Sequence, residues 1–234
     1  MNTRSYIMGL AASLLAVAPL QAQWEVGLQA GAGSGRINTD LFPATSRGEY
    51  QVLEQRFSWL IGGSVTHKLY GPLSFSTGMY WSFIAGHDEY WSQEVKIMAA
   101  DRQIHYLCLP MVVQLNLGRF GVGVGYQLGT PLVERGTFNR FPFANGHGES
   151  STQETNDLYL KRTDFGALGE LRFRITDRMT SGIRYYFGLQ NIKDPGDGYR
   201  SPLMNEQLVL TVGYNILSKR KADETPMQET VPTE

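Results

Sequence analysis

Five charged residues sit where an apolar interior or a lipid-facing wall would not be expected to carry them. Glu170, Arg172 and Arg174 recur at every second position, while Phe165, Ala167, Gly169, Leu171, Phe173 and Ile175 fill the intervening places. A spacing of two puts residues on one face of a β-strand. Arg184 alternates in the same way with Ile183 and Tyr185, and Glu25 with Trp24 and Val26. Charges directed into a common interior persist there only when paired and hydrogen-bonded. Glu25, Glu170, Arg172, Arg174 and Arg184 are therefore expected to form a polar network that plugs a barrel lumen. A narrow conduction path lined by the same residues is the competing reading. It is disfavoured because an eight-stranded barrel is just wide enough for side chains to fill.

The remaining reactive residue types form no comparable pattern. His67, His87, His105 and His147 are scattered without the close spacing of a zinc site, so no metal or other cofactor is expected. Cys108 is the only cysteine, which excludes an intrachain disulfide, and it reads as a small interior filler. Gly121-Val122-Gly123-Val124-Gly125 alternates within a strand and no helix pattern follows, so it is not a phosphate loop. An outer-membrane lipid hydrolase or acyltransferase would need a histidine near the outer membrane face. His105 has that placement, but no motif supplies a serine or an orienting acid, and no catalytic residue is assigned. The formal net charge is −1, from 21 basic and 22 acidic residues, which gives no field to attract nucleic acid.

The elements that must position these residues are strands. Eight runs of period two are found, at 24–33, 57–69, 73–83, 104–117, 120–128, 164–175, 182–190 and 207–216. Each sets apolar residues on one face against small or polar residues on the other, as expected of a wall between lipid and a polar lumen. The glycines of the fifth run leave its inner face bare, so that bulky neighbours can fill the lumen. Pro110 removes a ladder donor from the fourth run and should mark a bulge or irregularity there. The links near Lys68 to Pro72, Gly118 to Arg119 and Thr176 to Arg178 are short. Those around Arg36 to Arg56, Gly86 to Arg102, Pro131 to Lys161 and Ile192 to Asn205 read as long loops. This asymmetry predicts an all-β, eight-stranded antiparallel up-and-down transmembrane barrel with short periplasmic turns and long outer loops. Trp59, Trp81, Trp91, Tyr90, Tyr185 and Tyr214 are candidates for its aromatic girdles.

Residues 1–22 read as a signal peptide: Arg4, then an apolar segment from Ile7 to Ala18 that is too short to span a bilayer, then Ala22. The barrel is expected over 23–217. Residues 218–234 lack an apolar period and read as a disordered periplasmic tail.

Several local patterns resemble the PorT-like outer-membrane β-barrel family of Gram-negative bacteria. They are Tyr106-Leu107-Cys108-Leu109-Pro110-Met111, Asp164-Phe165-Gly166, and Gly182-Ile183-Arg184-Tyr185-Tyr186-Phe187-Gly188-Leu189-Gln190-Asn191-Ile192. The resemblance covers Trp24 to Leu217. It implies outer-membrane location, with membrane lipid and the barrel-assembly machinery as partners, and it carries no uniform activity. One branch of that family is implicated in protein secretion. The leading expectation is a non-enzymatic barrel whose outer loops contact an unidentified protein partner outside the cell or in the periplasm. A soluble periplasmic carrier in the manner of lipocalins is a further alternative, and it would need a greasy interior and a polar exterior.

Overall fold

The computed structural model describes residues 24–39, 49–142, 150–155, 163–192 and 203–218. The expected signal segment 1–22 and the tail 219–234 lie outside the described residues, as does His147. The described elements are all strands: β1 (Trp24–Thr39), β2 (Glu49–Tyr70), β3 (Leu73–Ser92), β4 (Val95–Leu117), β5 (Phe120–Arg140), β6 (Ser151–Thr155), β7 (Asp164–Arg174), β8 (Met179–Gly188) and β9 (Leu203–Ser218).

Every pairing is antiparallel between sequence neighbours, apart from β5 with β7 and the closing pair β1 with β9. The β4–β5 pairing joins the two ends of the strand order, leaving a closed ring of eight strands, and β6 hangs on β5 outside that ring. Closure leaves the ring without an open strand edge, which is what lipid requires. The turns at Gly71 and Gly118 adopt positive φ, which glycine tolerates, and both close short connections at the same end as Trp24 and Ser218. In outer-membrane barrels the end with the short turns is the periplasmic one.

Side chains alternate across the wall in the expected register. Leu28, Ile61, Met79, Trp81, Val113, Val124, Leu171, Ile183, Leu210 and Val212 are exposed around the outside, with Val124 at 67% and Leu210 at 68%. Large apolar side chains left open on every strand of the ring match a lipid-facing belt. They are the reverse of the polar exterior that a soluble carrier would need.

Two sequence expectations are corrected. The segment Gly86 to Arg102 is not a long loop: β3 and β4 continue through it and meet in a two-residue turn at Gln93 (φ 48) and Glu94 (φ 65). Neither residue is the glycine or asparagine that usually announces such a turn. The lumen face is also not polar throughout, because Leu60, Ile84, Ile104, Val112, Leu168 and Val209 all point inward and are buried. Pro110 does mark an irregularity, as expected, though not a bulge. The β3–β4 ladder lapses opposite it and resumes in the same register, while the bulge falls at His105/Tyr106 against β5.

The strands differ in length, and this sets the shape of the molecule. β7 and β8 have 11 and 10 residues, about what a bilayer needs, whereas β2, β3, β4 and β5 have 22, 20, 23 and 21. The long strands carry a crown roughly 25 Å beyond the belt, taking about ten extra residues at the usual rise and barrel tilt.

Candidate functional site

Three of the five interior charges come together. Glu170 and Arg184 are directly opposed across β7 and β8. Arg184 Nε lies 3.3 Å from Glu170 Oε1, and Arg172 Nη2 lies 2.9 Å from Oε2. Gln114 ties the group to β4, donating to Glu170 Oε2 at 3.2 Å and accepting from Arg172 Nη1 at 3.3 Å. Room for this group comes from β5. A Cβ on Gly123 would lie 2.8 Å from Val112 Cγ1 and 3.0 Å from Gln114 Cγ, with Glu170 beside them. The bare glycine face is thus filled by its neighbours, as the alternation in the fifth run predicts.

Arg184 is buried, and none of its side-chain nitrogens has hydrogen-bond geometry with a partner among the described residues. Charge attraction to Glu170 and the face of Tyr80, 4.6 Å from the guanidinium to the ring centroid, hold it instead. Tyr80 then donates through its hydroxyl to Gln29 Oε1 at 2.7 Å. The chain Arg172, Glu170, Arg184, Tyr80, Gln29 therefore crosses the lumen from β7 and β8 to β3 and β1.

The other two predicted members sit apart, toward the periplasm. Glu25 accepts a hydrogen bond from Asn215 at 3.3 Å. Arg174 is held by its backbone N–H, which donates to the Arg119 carbonyl at 2.8 Å. Both line a cavity of about 250 Å³, whose wall also includes Gln29, Gln114 and Arg172 from the charged crossing.

Beyond the crossing, toward the outside, the lumen is filled. Ile37, Leu60, Ile84, Ile104, Tyr106, Cys108, Ile192, Leu203 and Val209 form one buried cluster with Tyr80. Polar side chains inside it bridge the barrel. Asn205 donates to the Tyr106 hydroxyl at 2.6 Å and to Asp164 Oδ2 at 2.9 Å, and Gln207 donates to the Ser58 and Ser82 hydroxyls at 2.6 and 3.0 Å. Cys108 lies within this packing.

The crown has its own charged groups, which sequence reading missed because both faces of the segment are polar. Asp88 and Arg102 form a buried ion pair inside, with the Arg102 guanidinium 5.6 Å from the Phe138 ring centroid. On the outside Lys96 pairs with Glu89, and His87 Nδ1 lies 2.7 Å from Asp101. The hydrogen bond from Lys96 holds the Glu89 carboxyl below the usual range, against partial burial that pushes it up. Tyr50 and Trp91 stack at the crown tip, 5.9 Å apart, and Lys96 lies 5.8 Å from the Trp91 ring centroid.

This placement removes Trp91 and Tyr90 from the aromatic girdle: Trp91 belongs to the tip and Tyr90 is buried within the crown. Trp59, Trp81 and Phe83 instead cluster around His105, whose ring lies 4.9 Å from that of Phe83. The ring contacts of His105 are with these three side chains, on the lipid-facing side of the bulge, in the manner of an interfacial residue. At the periplasmic end Trp24 stacks on His67 and Phe120 packs on Phe173.

The profile of the outer membrane protein beta-barrel domain family matches residues 19–194. No curated protein matches the chain. Among solved structures, the chain is similar to Ail, the attachment invasion locus protein of Yersinia pestis, in complex with the heparin analogue sucrose octasulfate. The identity is 12%, over 82% of this chain and 99% of that one, with a TM-score of 0.42. It is similar to Neisserial surface protein A at 11% identity over 81% and 96% of the two chains, with a TM-score of 0.44. It is also similar to the outer membrane protease OmpT from Escherichia coli at 7% identity over 82% and 96%, with a TM-score of 0.35.

Proposed function

Because this chain belongs to the outer membrane protein beta-barrel domain family, which implies an outer-membrane location, we propose that it is a non-catalytic barrel whose crown presents a rigid contact surface outside the cell. The observation that carries this reading is the crown itself. Strands β2 to β5 run about twice the length a bilayer needs, and the extra length is stiffened internally by the Asp88–Arg102 pair and by packing of Ile104 and Phe138. Its outer surface leaves Tyr50 and Val52 exposed at the Tyr50–Trp91 stack. Exposed aromatics on a stiff support are the composition favoured at binding surfaces.

Membership of the PorT-like branch, with a link to protein secretion, is a finer part of the proposal. It rests on the Tyr106–Met111, Asp164–Gly166 and Gly182–Ile192 patterns alone.

Embedding is tested by membrane fractionation with heat-modifiable gel mobility, where recovery as a soluble periplasmic protein would overturn it. Contact is tested with a photocrosslinking residue at Tyr50 on intact cells, against one at Ile183 on the lipid face. A discrete non-lipid adduct from position 50 alone is expected. Lipid adducts from both positions and nothing else would sink the idea. Deleting residues 143–149 is expected to spare insertion, whereas a deletion reaching Phe138 removes a residue packed on the interior cluster.

A further inference from the structure

The periplasmic cavity has a charge imbalance that the rest of the lumen lacks. Its walls carry Lys68, Arg119, Arg172 and Arg174 against a single carboxylate, Glu25. Arg172 is neutralised by Glu170 at the ceiling. The backbone bond from Arg174 to the Arg119 carbonyl holds these two residues together at the mouth, and neither side chain has an ion-pair partner among the described residues. Glu25 is bonded to Asn215 on the opposite wall. Like charges kept side by side in a recess repel, and the field of a low-dielectric wall concentrates a counter-ion there. The remaining lining is rich in hydroxyl and amide groups, among them Thr180 and Asn116, which hydrogen-bond an anion without adding charge.

Among the described residues the cavity is also closed on its outer side. The Glu170–Arg184–Tyr80–Gln29 crossing forms its ceiling, and the packed cluster lies beyond that. A solute entering from the periplasm meets a dead end, which is the form of a binding pocket and not of a conduit. A volume of about 250 Å³ holds several waters' worth of solute, at roughly 30 Å³ per water, and so admits a compact ion.

We propose that this vestibule is a periplasm-facing binding site for a small oxyanion, a phosphate or a carboxylate, held between Arg174 and Arg119 at the mouth and Arg172 at the ceiling. Guanidinium groups suit such ions because their donors match oxyanion geometry in pairs.

The test is calorimetric titration of the full-length barrel in a maltoside detergent, free of phosphate, with inorganic phosphate and separately with succinate at constant ionic strength. One saturable site is expected. Arg174→Gln and Arg119→Gln should each weaken it about tenfold, the scale of losing one charge-assisted contact. Glu25→Gln, which removes the lone carboxylate, should tighten it severalfold. Arg178→Gln, at the same end but outside the cavity, should stay within about twofold. Heat-modifiable mobility confirms that each variant is folded. Absence of saturable binding by both ions overturns the proposal, as does an equal loss in Arg178→Gln and Arg174→Gln or a weakening in Glu25→Gln. Repeating the titration in nanodiscs containing phosphatidylglycerol separates the sources of the oxyanion: competition identifies a lipid headgroup as the natural occupant, and unchanged affinity identifies a free solute.

Discussion

The two halves of the lumen are built from the same strands with opposite polarity. In the periplasmic half β3 points Ser74 and Ser76 inward and Met79 and Trp81 outward; in the crown the same strand points Ile84 and Tyr90 inward and His87 and Glu89 outward. β4 repeats the change, with Gln114 inward and Val113 outward below, and Ile104 inward and Gln103 outward above. β1 does so as well, passing from Leu28 outside and Gln29 inside to Ile37 inside. At these positions of β1, β3 and β4 the side-chain parity is kept, whereas a bulge shifts it in β5, where Gln127 and Phe138 both face the interior. What changes is the medium beyond the wall: lipid at the belt demands an apolar exterior, and water around the crown permits a polar one. The crown therefore resembles the core of a soluble β-protein, and the periplasmic half keeps polar groups and a cavity.

The charged crossing sits where these two regimes meet, and disturbing it should have the largest effect. Glu170→Gln leaves Arg184 and Arg172 without their carboxylate, and Arg184 is only 3% exposed. Removing one partner of a buried ion pair costs about 3–5 kcal/mol. Urea unfolding in detergent should show a loss of that order, and Glu170→Gln combined with Arg184→Gln should recover part of it. A double variant no better than the single would mean that the pair is not the unit of stability.

A smaller effect separates the halves directly. Ile104→Ala, in the packed outer cluster, should destabilise by roughly 2–4 kcal/mol, since a buried methylene deletion leaves a cavity there. Ser74→Ala, in the polar half, loses one hydrogen bond accepted from Asn116 at 2.9 Å and should cost about 1 kcal/mol or less. Equal losses at the two sites would erase the distinction.

The same inversion explains how far the sequence could be read. Below the crown, one face is apolar and the other is small or polar, so eight strands and the inward side of Gly123, Glu170 and Arg184 were legible, while their pairing opposite one another is a product of the ladder. In Gly86 to Arg102 the parity continues, but Asp88 and Arg102 point inward while His87, Glu89 and Asp101 point outward. Charges on both faces cancel the alternation, and a strand reads as a loop. The turn added no signal, because Gln93 and Glu94 are not turn formers. Pairing across the lumen, such as Asn205 with Tyr106, depends on closure of the ring and has no local mark.

That unusual turn offers a way to sharpen the contrast at lower energy. Glu94 has φ 65, a region where a non-glycine residue carries roughly 1 kcal/mol of strain. Glu94→Gly should therefore slow amide exchange at the crown tip while leaving exchange in the belt unchanged. Equal protection in both regions would show that the crown and the belt open as one unit.

The smallest expected effect is a pH response confined to the crown. Glu89 has its folded pKa depressed, first by the hydrogen bond from Lys96, opposed by burial and helped by His87 and Trp91. A depressed carboxylate contributes stability that is fully present above its unfolded pKa, near 4.5, and is lost as pH falls through the lower folded value. The pair is near the surface and screened, so the contribution is well under about 1 kcal/mol. Acidification from neutral pH to below 4 should therefore loosen the β3–β4 tip, read as faster amide exchange around Trp91 and a change in its fluorescence. Lys96→Gln should flatten that response, because it removes the first cause of the depression. The Glu170 group is enclosed by the wall, and its exchange protection should persist over the same interval. Simultaneous loss of both would mean that acid acts on the barrel as a whole and not on the water-facing half alone.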